Sequence, residues 1–145
     1  PLYVGDVLPD FEVLTTDLKR VKLSGLLRKG HYTLVELWAS WCGPCRADIP
    51  HLKETYERYH GKGFDMVSIS IDDDTDAWLK AVKEEGMAWT QVCGANGKSY
   101  DKECMKLFGT NGVPSCVLVD AEGRVVSTNA RGGWLNEKLA KLFQE

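Results

Sequence analysis

Two cysteines, Cys42 and Cys45, have the residue types and spacing for thiol chemistry, within a stretch that reads WCGPC. The chain holds five cysteines in 145 residues, and one close pair favours a catalytic or metal-binding site over a disulfide scaffold. The pair lies between an apolar stretch and a helical pattern, so we expect it at a helix N-terminus. The unpaired N–H groups and partial positive charge there stabilise a thiolate, the nucleophile of disulfide exchange.

The spacing predicts different roles for the two sulfurs. A two-residue spacer lets the second sulfur reach back over the first helical turn, so the pair can form a redox-active disulfide without any other cofactor. We therefore predict that Cys42 is the exposed attacking residue and Cys45 the more buried resolving residue. Pro44 suits an early helical position, because its missing N–H costs little there.

Composition, charge and length favour a single globular domain over a nucleic-acid-binding or membrane-spanning protein. The net charge is −3 with no basic block, which predicts no nucleic-acid partner. The length predicts one domain, residues 1–145, with its own hydrophobic core. No apolar stretch approaches the roughly 18 residues of a membrane span. Because the chain begins at Pro1 without a leader pattern, we expect a mature or trimmed form that has lost any export signal or lipid anchor.

Strands alternate with helices along the chain, which predicts an α/β fold with a covered central sheet. Residues 1–30 form an N-terminal extension with a hairpin around Thr16–Asp17. Further strands are predicted at 32–38, 64–71 and 88–92, and 115–120 and 124–128 form a second hairpin. Four helices are predicted from their apolar faces, which are Ile49, Leu52, Tyr56 and Tyr59; Trp78, Ala81 and Val82; Cys104, Leu107 and Phe108; and Leu135, Leu139, Leu142 and Phe143.

Three stretches resemble a known family. LVELWASWCGPCRADIP (34–50) resembles the active-site segment of thioredoxin-family proteins, and GTNGVPSCVLVD (109–120) resembles their cis-proline loop. The opening GDVLPDFEVLTTDLKRVKLSGL (5–26) resembles the exported TlpA and ResA type, as does CRADIP after the second cysteine. The resemblance covers nearly the whole chain. It implies a thioredoxin fold, with a central mixed β-sheet flanked by helices and an N-terminal β-hairpin extension.

The resemblance also implies a task and a location. Proteins of this type are exported to, or anchored in, the bacterial cell envelope or periplasm. They reduce protein disulfides there, for example in cytochrome c maturation, and a membrane electron donor, a thiol reductase, recharges them. The Gly43–Pro44 spacer is that of thioredoxin, which lies at the reducing end of the scale near about −270 mV. We therefore expect a reductant whose partners are protein thiols and disulfides.

Two acids match family positions. Glu36, six residues before Cys42, matches a buried aspartate beneath the resolving cysteine. Burial should raise its pKa, and it could then take the proton of Cys45; the alternative is a polar residue satisfied by its neighbours. Asp48 matches an acid after the second cysteine in the ResA-like branch and is expected to support the site; the alternative is a favourable acid early in a helix.

The substrate-binding residues are also implied by the resemblance. The proline of the loop falls on Pro114, with a predicted cis peptide bond, and the backbone of Val113 should pair with an extended substrate. An ordinary loop proline is the alternative. Trp41 should form a surface ring beside Cys42, and the backbone of Gly43 and Pro44 should complete the contact surface.

Three other functions compete with this interpretation. A peroxiredoxin-like thiol peroxidase shares the style of the opening, but it would carry Thr or Ser where Ala39 precedes Cys42 by three residues. A redox-inactive binding module of the same fold would lack one of the two cysteines. A zinc site would need a second close cysteine pair, which this sequence does not contain.

The remaining cysteines and acids have ordinary interpretations. Cys93, Cys104 and Cys116 are expected to be small buried residues, and a Cys93–Cys104 disulfide is the open alternative. The acidic stretch 72–76 favours a helix cap over a metal site, because the glycine and late glutamate of an EF-hand are missing. We predict no metal.

Overall fold

The computed structural model describes residues 1–94 and 100–145. Within these ranges, seven strands form one mixed sheet with helices packed against it. The strands are β1 (Glu12–Thr15), β2 (Arg20–Lys22), β3 (Tyr32–Trp38), β4 (Phe64–Ser70), β5 (Thr90–Gly94), β6 (Ser115–Val119) and β7 (Val125–Ser127). The helices are α1 (Gly43–Ala47), α2 (Ile49–Tyr59), α3 (Thr75–Glu85), α4 (Tyr100–Leu107) and α5 (Gly132–Leu142), with short 3₁₀ turns at Leu23–Leu26 and His60–Lys62.

The sheet has the order β2-β1-β5-β4-β3-β6-β7. Strand β3 pairs in parallel with β4 and antiparallel with β6, and β4 pairs in parallel with β5. Strands β3 and β4 are covered on both faces, so every residue in them is buried except Tyr32 and Asp65, which are partly exposed. The predicted mixed sheet with flanking helices is confirmed, and the predicted N-terminal hairpin is the β1–β2 pair, which joins the sheet through β5.

Alternate residues of the central strands face two apolar clusters. Val35 and Leu37 of β3 pack with Trp78 of α3 and Phe108, which follows α4. Leu34 faces the other side of the sheet, where α2 and α5 cover it. The buried residues that these two helices contribute are Ile49, Leu52, Tyr59, Leu135 and Leu139.

Two predicted elements differ from the structure. The motif was expected to open one continuous helix, but α1 ends at Ala47 and α2 starts at Ile49, with Asp48 between them. Pro50 explains the break, because it has no N–H to donate to the preceding turn and its ring crowds that turn. The strand predicted at 88–92 runs from Thr90 to Gly94, because Trp89 turns into the core ahead of it.

No helix in the described ranges has both the length and the apolar character needed to cross a lipid bilayer. The longest helices, α2, α3 and α5, have 11 residues each. A bilayer core of about 30 Å needs about 20 helical residues.

Candidate active site

The two motif cysteines lie at the start of α1 and form a disulfide with a Cα–Cα distance of 5.3 Å. Cys42 is the N-cap of this helix, in extended conformation, and its Sγ accepts a hydrogen bond from the Cys45 N–H at 3.2 Å. Pro44 occupies the first turn, where its fixed φ suits the helix. The sulfur therefore lies against the positive end of the helix, as the sequence predicts.

The burial of the pair differs from the prediction in one respect. Cys42 is the less buried residue, but at 5% exposure, against 1% for Cys45, it is not an exposed residue. The Cys42 sulfur lies at the first helical turn, where it accepts from the Cys45 N–H, and is 3.8 Å from the carbonyl oxygen of Val113. The prediction of an exposed Cys42 is therefore wrong for the disulfide state, although the order of the two sulfurs is as expected.

The loop ahead of β6 brings Val113 and Pro114 against the disulfide. Their peptide bond is cis, as predicted. Strand β6 is the antiparallel neighbour of β3, and this pairing carries the loop to the end of the sheet where the motif begins. Within the described part of the chain, the Val113 N–H makes no hydrogen bond. It is therefore available to a strand lying along the loop.

The other predicted contact residues surround Cys42 on its open side. Trp41 is 66% exposed, so its ring is a surface feature beside the disulfide. A Cβ atom added at Gly43 would meet no heavy atom within 4 Å, so this glycine faces open space. Both observations leave room for a substrate at this edge.

The sequence did not indicate a set of hydrogen bonds among Ser40, Arg46 and Asp72 that holds the segment before the motif. Asp72, two residues after β4, accepts hydrogen bonds from the Ser40 N–H at 3.0 Å and the Ser40 hydroxyl at 2.6 Å. Arg46 of α1 donates to the Ser40 carbonyl at 3.2 Å. Asp74, two residues further on, provides the predicted helix cap by accepting from the Asp76 and Ala77 N–H groups. The acidic stretch therefore holds the motif loop as well as capping α3.

Glu36 is buried in β3, and its environment fits the predicted shift. Burial raises the pKa of this carboxyl from 4.5 to about 7, while a hydrogen bond from Ser68 to its Oε1, 2.9 Å long, opposes the rise. The charge of Asp48 adds to the rise and that of Arg131 opposes it. Glu36 hydrogen bonds Ser68 and not Cys45, although all three lie in the described residues. The structure thus gives Glu36 a raised pKa without a direct bond to the resolving sulfur.

Asp48 lies between α1 and α2 and binds Arg131, which precedes α5. Its Oδ2 accepts from Nη2 at 2.7 Å and from Nε at 3.1 Å. Asp48 makes no side-chain capping bond at the start of α2, so its main partner is this distant arginine. Arg131 is a second residue that sequence reasoning missed, because 83 positions separate it from Asp48.

The other three cysteines are buried outside the disulfide. Cys93 and Cys104 are not bonded to each other, so their disulfide is absent from this structure. Burial raises the pKa of Cys93 to about 11, with the charge of Asp72 adding to the effect. Cys116 lies opposite Glu36 in the β3–β6 pair, and burial followed by the Glu36 charge raises its pKa well above the usual thiol value. Cys93 and Cys116 are therefore neutral thiols at physiological pH.

The histidine, cysteine and acidic residues in the described ranges form no group of three or more placed to hold a metal ion. The motif sulfurs are bonded to each other. The chemistry that this arrangement supports directly is the making and breaking of one disulfide.

Comparison with known proteins agrees with this chemistry. The chain matches the Redoxin family over residues 3–134. It is 38% identical over 126 residues to the thiol-disulfide oxidoreductase ResA of Oceanobacillus iheyensis, covering 84% of this chain and 62% of that protein. It is 25% identical over 142 residues to ResA of Bacillus thuringiensis subsp. konkukian, covering 98% of this chain and 78% of the relative.

A solved structure shows the same fold. The thioredoxin domain of a thiol-disulfide oxidoreductase from Bacteroides vulgatus superposes with a TM-score of 0.87 at 31% identity, and the match covers 99% of each chain. Together with a disulfide at a helix N-terminus beside a cis-proline loop, these matches show that the chain belongs to the redoxin family and is a thiol–disulfide oxidoreductase with a thioredoxin fold.

Proposed function

We propose that this protein reduces protein disulfides in the bacterial cell envelope, with cytochrome c precursors as one substrate class. The observation that carries the proposal is the position of the Cys42 sulfur, at the N-terminus of α1 and 3.8 Å from the Val113 carbonyl. An extended substrate segment that pairs with the unused N–H of Val113 would bring its own disulfide to Cys42. Trp41 and the backbone of Gly43 and Pro44 would then contact the substrate from the open side.

The reaction has two exchange steps. In the first, the Cys42 thiolate attacks one substrate sulfur, the substrate disulfide breaks, and the other substrate sulfur leaves as a thiolate and takes up a proton. In the second, the Cys45 thiol loses its proton and attacks Cys42, which releases the first substrate sulfur and closes the Cys42–Cys45 disulfide. Two electrons pass from the protein to the substrate. A membrane thiol reductase would return the pair to the dithiol form.

We assign Glu36 as the group that accepts the Cys45 proton in the second step. A carboxyl with a pKa of about 7 is close to half ionised near neutral pH, which suits a group that must accept and return a proton. No hydrogen bond joins Glu36 to Cys45 in the disulfide state. The transfer therefore belongs to the mixed disulfide, in which Cys45 has lost its bonded partner.

The reducing direction and the location rest on resemblance. The Gly43–Pro44 spacer matches thioredoxin, whose potential is near about −270 mV, and the relatives described above carry the name ResA. Asp48 would support the site by holding Arg131 beside Glu36. Equilibration with glutathione or dithiothreitol buffers measures the potential. A value near that of thioredoxin supports a reductant, whereas one near about −120 mV, as in DsbA, would mean that the protein oxidises its substrates.

Substrate capture tests the assigned roles. A Cys45→Ser variant is expected to retain a peptide with an oxidised Cys-x-x-Cys-His sequence as a mixed disulfide on Cys42, detected by intact mass. The matched Cys42→Ser variant should retain none. Retention by the Cys42 variant alone would reverse the two roles. Rapid peroxide turnover by the Cys45 variant would instead favour the peroxidase alternative.

Location needs a separate experiment with the full-length protein in its native host. A membrane-impermeant thiol reagent should label Cys42 in intact cells after mild reduction. Labelling that requires cell lysis would contradict a place in the cell envelope.

A further inference from the structure

A chain of hydrogen bonds crosses the sheet behind the active site. The Trp89 indole N–H donates to the Ser68 hydroxyl at 2.8 Å, and that hydroxyl lies 2.9 Å from Glu36 Oε1. Glu36 and Ser68 are direct neighbours in the β3–β4 register, and Trp89 immediately precedes β5. All three residues are buried, at 5% exposure or less. The hydrogen bonds therefore link β3, β4 and the residue before β5 through buried side chains.

Hydrogen-bond chemistry sets the direction of this chain. An indole nitrogen can only donate, and a serine hydroxyl has one hydrogen. The Ser68 oxygen accepts from Trp89, and within the described residues Glu36 Oε1 is the acceptor that the Ser68 hydrogen reaches. If a protonated Oε1 donated to Ser68 instead, that hydrogen would be left buried without an acceptor, so the proton of the neutral carboxyl belongs on Oε2.

We propose that Ser68 and Trp89 are positioning residues for disulfide exchange, which hold Glu36 so that Oε1 is a permanent acceptor and Oε2 alone gains and loses the proton. This inference rests on the proposed role of Glu36. In the second exchange step the S–H bond of Cys45 breaks and an O–H bond forms on Oε2. The resulting thiolate attacks Cys42, the S–S bond between Cys42 and the substrate breaks, and the substrate sulfur leaves as a thiolate. When the membrane thiol reductase reopens the Cys42–Cys45 disulfide, the proton returns from Oε2 to Cys45, and Oε1 keeps its bond to Ser68 throughout.

The charged and titratable groups around Glu36 come from three other elements. Asp48 lies between α1 and α2, Arg131 precedes α5, and the Cys116 thiol faces Glu36 from β6. Burial is the dominant influence on the pKa of Glu36, and the Ser68 hydrogen bond is the strongest influence that opposes it. Removing this hydrogen bond should therefore raise the pKa of Glu36.

The test is a carbon-13 NMR titration of the glutamate side-chain carboxyls, which reports Glu36 without any enzyme assay. We expect the Glu36 midpoint to rise by about 1 pH unit in Ser68→Ala, as loss of a hydrogen bond to a charged group predicts. Trp89→Phe should raise it by less, because Ser68 keeps its hydroxyl but can turn its hydrogen away. The matched control is Ser70→Ala, since Ser70 is equally buried in β4 but its hydroxyl pairs with Asp72. That control should leave the midpoint unchanged.

An unchanged midpoint in Ser68→Ala would overturn the proposal. If this variant does not fold, Trp89→Phe decides the question by the same measurement. The pH profile for release of a trapped peptide from Cys42 provides a second readout, because it should move with the midpoint while the initial attack rate stays unchanged. A shifted midpoint with an unshifted release profile would leave the hydrogen-bond chain established and refute the proton role of Glu36.

Discussion

Replacing Glu36 by glutamine should stabilise the folded protein, by an amount that depends on pH. The folded carboxyl has a pKa of about 7 because it is buried, against 4.5 when unperturbed. Between these two values the folded protein keeps a proton that the unfolded chain has released, so the stability of the wild type falls as pH rises through this window. Below about pH 4.5 the group is neutral in both states and its ionisation costs nothing.

The size of the effect follows from the same two values. A rise from 4.5 to about 7, at about 1.36 kcal/mol per unit, corresponds to about 3 kcal/mol of lost stability above pH 7. Glutamine has nearly the same shape and can accept the Ser68 hydrogen bond through its amide oxygen. Glu36→Gln should therefore match the wild type near pH 4 and exceed its free energy of unfolding by up to about 3 kcal/mol near pH 8.

Urea unfolding of the oxidised proteins, at intervals between about pH 4 and 8, measures this difference. The matched control is Glu54→Gln, which changes an exposed glutamate on α2 and should give a difference that stays flat with pH. A flat difference for Glu36→Gln as well, or one that changes mainly near the ordinary glutamate pKa, would refute the buried, proton-holding state of Glu36.

Three further predictions follow from named contacts. Asp48→Asn should lower the pKa of Glu36 and Arg131→Gln should raise it, because the two charges act on Glu36 in opposite directions. NMR titration of Glu36 in both variants measures the two shifts, and shifts in the same direction, or each opposite to the expected one, would contradict the prediction. Trp41→Ala should reduce kcat/KM for a protein disulfide several-fold and leave the melting temperature unchanged, because the ring is 66% exposed; a similar loss with a small-molecule disulfide would contradict a docking role. Asp74→Ala should cost about 1 kcal/mol of unfolding free energy, because the side chain caps α3, and Asp73→Ala is the matched control for urea unfolding.

The local chemistry of the site could be predicted from the sequence. Cys42, Pro44 and Cys45 lie within four positions at one helix start, so their roles depend on neighbours in the chain. The break at Asp48 also has a local cause, Pro50, which is visible in the sequence and cannot donate to the preceding turn. Short apolar runs rich in β-forming residues indicated the central strands, and apolar residues at helical spacing indicated the buried faces of the helices.

The surroundings of Glu36 depended on the tertiary structure. Ser68 lies 32 residues away from Glu36, and Trp89 a further 21; Cys116 faces Glu36 only through the β3–β6 register. The pattern of apolar residues shows that Glu36 is buried, but it carries no information on which polar groups share that space. Those partners are set by strand register and helix docking, which are decided by the packing of the whole core. The sequence alone therefore determined where the disulfide chemistry occurs, and the folded sheet decided which groups hold the nearby proton.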